Sequence, residues 1–278
     1  MMDAVANFFQ ERGSRGVVLD DEKPEASSVT AYFPRETWEA VYAELKDYLA
    51  RLCDLFSVSD VPVVRVTPFK EEEWSTVWKS YFTSILVGKR LIVTPPWLKP
   101  EPYGREIIVI EPADAFGTGT HETTQGCLIL LEEALEQLGS LSPGVSILDV
   151  GCGTGIIAIA AVKLGATEVT AVDNDPVAVQ AALHNAGLSG VQDRVHLVCA
   201  GLAELSEPAD IVTANLDRMT LLANQDRLIS LFRRFLIVSG ITIEQWDEVK
   251  GAFLDRGLVL AREITRAEWG CGMFNKRP

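Results

Sequence analysis

Three places in the chain hold residues whose types and spacing could do chemistry. The first is Asp149-Val-Gly-Cys-Gly-Thr-Gly, with glycines at 151, 153 and 155. An apolar run leads into it and a helical pattern leads out. A second apolar run, "EVTAVD", then ends at Asp173, about 20 residues beyond Gly151. Glycine is needed where φ is positive or where a ligand approaches the backbone closely. An acid at the end of the second strand is where nucleotide sites hold ribose hydroxyls. Gly151, Gly153 and Asp173 are therefore candidates for binding a nucleoside. The spacing is GxGxG, not the GxGxxG of dinucleotide sites, and Asp149 stands just ahead of it. A carboxylate there repels a pyrophosphate and suits a cation such as an α-ammonium group or a sulfonium.

The second place is "EPADAFGTGTHETTQGCLILL", residues 111–131. A glycine-rich loop carrying Phe116 and His121 runs into an amphipathic helix, and the hydroxyls of Thr123 and Thr124 suit a helix start. His121 is a weak candidate for moving a proton. The third is "ADIVTANLDRM", a strand pattern ending at Ala214 with Asn215 after it. Open α/β sheets bind ligands beyond the carboxyl ends of their strands. An asparagine there can hold an N–H of an acceptor amine and aim its lone pair. Asp217 and Arg218 follow, where small or apolar residues would be expected beside an acceptor channel.

These residues need a scaffold. Strand patterns near 107–111, 146–150, 168–172, 194–199, 209–214 and 233–239 alternate with helical ones, which predicts parallel pairing in a sheet covered on both faces. "LVLAREITRAEWGCGMFNK" reads as two strands with no helix between them, an antiparallel hairpin. The first 67 residues read differently, in the order helix, strand, strand, helix, strand. Apolar residues Trp38, Val41, Leu45, Tyr48 and Leu52 space the second helix, and "VPVVRVTP" is expected as the last strand. That order is a ferredoxin-like βαββαβ pattern without its first strand. Between the two lies a bridge with an expected helix, "EEEWSTVWKSYF", and an expected strand, "KRLIVTPPW".

Composition narrows the function classes. The formal charge of −14 opposes contact with nucleic-acid phosphates and favours a basic protein or amine as partner. Five scattered cysteines without a CxxC pair fit reduced thiols in the cytoplasm. No apolar run approaches the roughly 20 residues of a membrane helix. Only three histidines occur, with no ligand-spaced cluster, so no metal is expected.

The GxGxG pattern with its preceding acid resembles the glycine motif of class I S-adenosylmethionine-dependent methyltransferases. "AFGTGTHETT", "ILDVGCGTGIIAIAAVKLGA", "VDNDP" and "ANL", in this order, resemble the ribosomal protein L11 methyltransferase family, as does "WSTVWKSYF…VGKRLIVTPPW". The likeness covers roughly residues 30–275. It implies an α/β fold: a Rossmann-like seven-stranded methyltransferase sheet (105–278), a bridge (68–104) and a smaller N-terminal α+β, truncated ferredoxin-like domain for substrate recognition (1–67). It implies methyl transfer from S-adenosylmethionine, with S-adenosylhomocysteine as product, to the N-terminal amine or lysines of ribosomal protein L11. Carried over by position, Thr124, Gly151, Asp173 and Asn215 would contact the cofactor, with Phe116 near the sulfonium and Asn215 beside the reacting centre. The alternatives are a related methyltransferase acting on another protein or a small amine, or a non-catalytic S-adenosylmethionine-binding module. A nicotinamide oxidoreductase is disfavoured by the glycine spacing and Asp149.

Overall fold

The structure is a computed structural model, and it describes residues 2–14, 16–20, 28–56, 62–67, 82–112, 121–139 and 144–277. The chain divides into two compact units, 1–73 and 74–278. No helix among the described residues is long and apolar enough to cross a membrane.

The first unit contains helix α1 (Met2–Glu11), an antiparallel pair β1 (Gly16–Asp20) and β2 (Ser28–Tyr32), and the long helix α2 (Arg35–Phe56). Val41, Leu45, Leu49 and Leu52 bury one face of α2 against Val5, Phe8 and Phe9 of α1. Trp38 and Tyr48 pack partly buried on the same cluster. The three-to-four spacing read from the sequence is thus the face that packs. The strand expected at 61–68 does not form in the described residues 62–67. Pro62 has no amide proton for a ladder, and Val63 and Val66 stand exposed while Val64 alone packs on the cluster among the described residues of this run.

The second unit has two sheets. The smaller runs β3 (Ile85–Val87), β4 (Leu91–Thr94) and β5 (Glu106–Val109), antiparallel and then parallel. The sequence pattern groups the run at 107–111 with the large sheet. Instead β5 pairs with β4, because Leu91–Thr94 supplies its hydrogen-bonding edge. The helix expected at 71–82 lies almost wholly outside the described residues.

The larger sheet contains β6 (Ser146–Val150), β7 (Glu168–Asp173), β8 (Val195–Cys199), β9 (Ala209–Asn215), β10 (Phe232–Thr242), β11 (Leu258–Arg266) and β12 (Trp269–Lys276). Its order is β11-β12-β10-β9-β6-β7-β8. The five strands from β10 to β8 are parallel, and β12 is antiparallel to both neighbours, as the expected hairpin requires. The chain leaves β6 toward β7 on one side and returns to β9 on the other. The strand order therefore reverses at β6, and in open α/β sheets such a reversal places the ligand crevice beyond the carboxyl ends, here those of β6 and β9. Two helices frame that crevice. Helix α3 (Glu122–Gly139) lies buried along β10 and β12. Helix α4 (Ile156–Leu164) starts from the glycine loop and is apolar and buried except at Lys163 in its last turn, as befits a helix enclosed by its neighbours.

Candidate functional site

The glycine loop is a turn fixed by its own backbone. Gly151 and Cys152 both donate their amides to the Val172 carbonyl, at 2.8 and 3.0 Å. Gly151, Gly153 and Gly155 all have positive φ. Two of them also face close neighbours. A Cβ on Gly151 would overlap the Leu216 side chain, and one on Gly155 would stand 2.9 Å from the Ala182 Cβ. Asp173, at the end of β7, ties the loop to the next helix. Its Oδ2 accepts the Gly153 amide and its Oδ1 the Asp175 amide, both at 3.0 Å. Asp175 then caps helix α5 (Pro176–Leu188) by accepting the Val177 amide. Asn185 of α5 reaches back, donating to the Thr154 carbonyl and accepting the Glu111 amide, both at 3.0 Å.

Asp149 is 1% exposed. Its Oδ1 accepts a 2.6 Å bond from the Thr213 hydroxyl, and its Oδ2 has no partner. Burial pushes this carboxyl up to about 6, against the pull of the Thr213 hydroxyl and the Ala158 amide, and the Asp173 charge adds to the rise. A buried carboxylate with an open lone pair is unstable unless a donor or a cation meets it.

Across the crevice the N-terminus of α3 meets the ends of β9 and β10. Asn215 donates through Nδ2 to the Thr123 hydroxyl at 3.4 Å, a long bond, and its buried Oδ1 has no partner. The hydroxyl of the buried Thr124 is likewise without one. His121 Nδ1 lies 2.7 Å from the Thr123 hydroxyl, and its ring meets Trp269 edge to face at 4.9 Å. Ser239, fully buried on β10, donates to the Thr123 carbonyl and accepts the Leu216 amide at its own carbonyl. Gly240 permits that contact. Its φ is 91°, and a Cβ there would overlap the Leu216 carbonyl.

The residues picked out by sequence thus gather at one crevice: Gly151, Gly153 and Asp173 on one side, and Thr124, Asn215 and His121 on the other. Phe116 lies outside the described residues. Asp217 and Arg218 have local partners. Asp217 caps helix α6 (Arg218–Ala223) through the Thr220 amide and hydroxyl, which hold its carboxyl below the usual range. Arg218 pairs with Glu248 through two bonds of 2.7 and 2.9 Å. Thr213, Ser239, Gly240 and Trp269 were not singled out by sequence. A threonine and a serine inside otherwise apolar strands were the available signal.

The family model described as "Ribosomal protein L11 methyltransferase" matches residues 1–277. A relative of that name from Geobacter metallireducens is 36% identical over 99% of this chain and 94% of its own length. One from Streptococcus thermophilus is 31% identical over 99% and 92%. A solved structure titled ribosomal protein L11 methylase, from Lactobacillus delbrueckii subsp. bulgaricus, superposes with a TM-score of 0.63 at 29% identity, covering 70% of this chain and all of its own. With matches along its whole length to the family model and to these relatives, the chain belongs to the ribosomal protein L11 methyltransferase family.

Proposed function

We propose that the protein transfers methyl groups from S-adenosylmethionine to amino groups of ribosomal protein L11, the N-terminal α-amine, lysines or both. One observation carries the cofactor assignment. Asp149 Oδ2 and Thr124 Oγ1 are buried polar atoms without partners, on elements that meet at the switch point. The donor set fits the cofactor chemically. Asp149 would hold its ammonium group, Asp173 its ribose hydroxyls, and the glycine loop would admit it against the backbone. Thr124 would donate its free hydroxyl to it. Bound there, S-adenosylmethionine supplies an electrophilic methyl on a sulfonium and leaves as S-adenosylhomocysteine.

The remaining work falls to the chain. Asn215 presents an amide oxygen that accepts one N–H of the acceptor amine and so aims its lone pair. Its Nδ2 is held by Thr123, which leaves the buried Oδ1 as the end of the amide without a partner. Holding the reactants in line contributes on the order of 7–11 kcal/mol. An amine of pKa about 10.4 must first lose its proton, and a closed, poorly solvated crevice favours the neutral form. The net charge of −14 draws a basic ribosomal protein toward the site. A ribosomal acceptor implies that the enzyme works in the cytoplasm, where ribosomes are. Asp217 and Arg218 raised the alternative of another amine, and their local roles remove that reason.

The test is intact-mass spectrometry of purified L11 after incubation with the protein and S-adenosylmethionine. Stepwise methyl increments on L11 support the assignment. An unchanged L11 mass, with S-adenosylhomocysteine binding present in the same sample, overturns the acceptor and leaves the cofactor standing.

A further inference from the structure

One buried side-chain bond joins the two strands on either side of the switch point. Asp149 and Thr213 lie opposite one another in the parallel pairing of β6 with β9. Both are enclosed, and the threonine hydroxyl donates to the carboxylate at 2.6 Å. A fully buried hydroxyl on a central strand carries a desolvation cost that valine, of the same shape, would not. The bond uses Oδ1 and leaves Oδ2 without a protein partner.

We propose that Thr213 is a positioning residue, whose hydroxyl holds Asp149 in one rotamer and in its ionised form, so that Oδ2 is kept for the ammonium group of the cofactor. This rests on the assignment of S-adenosylmethionine above. The groups acting on the Asp149 charge make the need plain. Burial and Asp173 on β7 both favour the protonated form. Cys152 in the glycine loop and Cys127 on α3 feel its charge and are pushed well above the ordinary thiol range, so both stay neutral and neither compensates it. The counterweights are first the Thr213 hydroxyl and then the Ala158 amide of α4, which pulls on the carboxylate without making a hydrogen bond to Oδ2. Of these two, only the hydroxyl belongs to a side chain that a substitution can remove.

Thr213→Val keeps the shape and deletes the donor, while Thr213→Ser keeps the donor. Losing one hydrogen bond to a charged group should raise the Asp149 midpoint by about one to two pH units. Carbon-13 NMR of the aspartate carboxyls in the cofactor-free protein reads this directly. With the midpoint near 6 in the parent, the valine variant should bind S-adenosylhomocysteine about two- to tenfold more weakly at pH 7 and recover toward pH 9. The affinity for 5′-methylthioadenosine, which has no ammonium group, should not change, and the serine variant should match the parent for both ligands. An unmoved carboxyl midpoint in Thr213→Val overturns the proposal. So does an equal loss of both ligands, which marks a packing role. If the parent bound neither ligand, the cofactor assignment would fall and this ammonium role with it, whatever the NMR titration gave for Asp149.

Discussion

The two sides of the crevice are built on different plans. On the glycine side, the groups come from one stretch between Asp149 and Asp175, and backbone amides make most of the bonds. On the asparagine side, α3, β9, β10 and β12 each contribute one or two groups, joined by bonds between residues 92 and 116 apart in the chain. The glycine side is therefore largely set once β6, β7 and the turn between them form, with Thr213 and Asn185 adding one bond each from farther along the chain. The asparagine side exists only when distant elements have docked. Its own connections are fewer and longer, down to the 3.4 Å bond between Asn215 and Thr123. Leu216 joins the sides. Its side chain covers Gly151 while its backbone packs on Gly240.

The contact of Leu216 with Gly240 is where a single substitution should separate the two sides. Gly240→Ala puts a Cβ into the Leu216 carbonyl at a φ that L-residues avoid. The strain and the overlap together should cost about 2–5 kcal/mol of stability. In the fraction that folds, the turn at Asn215 must shift. Turnover should then fall far more than affinity for S-adenosylhomocysteine. Denaturant unfolding gives the first quantity, and kcat beside ligand titration the second. Equal losses of turnover and affinity would mean that the two sides are not separable in this way.

The same difference explains how much could be read from sequence. The glycine side was legible almost entirely, because strand, glycines, helix and acid follow one another and the φ requirement is a property of single residues. Asn215 was legible because it ends a strand. The hairpin of β11 and β12 was legible from two strand patterns with no helix between them. What was not legible were pairings. Nothing local says that β5 lies beside β4 and not in the large sheet, since an apolar run looks alike in either place. Nothing local says that Thr213 faces Asp149, 64 residues away, or that Trp269 meets His121. The expected strand at 61–68 failed for the same reason: β-rich composition without an edge to pair with gives no strand.

A second break concerns the cost of the glycine side. The Asp149 carboxyl sits near 6 in the fold, above its unfolded value of about 3.9. Between those values the folded state binds more protons than the unfolded one, so stability falls as pH rises through about 4 to 6. At pH 7 the ionised carboxylate should then destabilise the cofactor-free protein by about 3 kcal/mol. Asp149→Asn should raise the unfolding free energy at pH 7 and flatten that part of the pH profile. The same change should weaken S-adenosylhomocysteine and leave 5′-methylthioadenosine binding as it was. A variant no more stable than the parent would show that Asp149 bears no uncompensated charge.

Asn215→Ala tests the opposite side alone. The side chain gives up one long bond to Thr123 and an unpartnered oxygen, so the fold should lose little. If its task is to aim the acceptor nitrogen, kcat should fall about 100-fold, the scale of a misplaced reactant. Cofactor affinity should change by less than about threefold, roughly 0.6 kcal/mol. A large loss of affinity with kcat kept would move Asn215 from the acceptor to the cofactor.

His121 should give the smallest effect, for a reason that lies in its contacts. The ring is held on both sides, by the Thr123 hydroxyl at Nδ1 and by the Trp269 edge. Thr123 in turn holds Asn215, so the histidine stands two steps from the acceptor and acts through the threonine. A proton relay would demand more of it: kcat should then drop by the roughly 100-fold or more that general bases contribute, and the pH–rate profile should lose a limb. A positioning role predicts instead that His121→Ala costs a few-fold in kcat, leaves the pH profile in place, and is rescued by His121→Asn, whose side chain can still meet Thr123. An amine that sheds its proton to solvent before it enters the crevice needs no base, and the alignment set by Asn215 then outweighs what His121 adds to the rate.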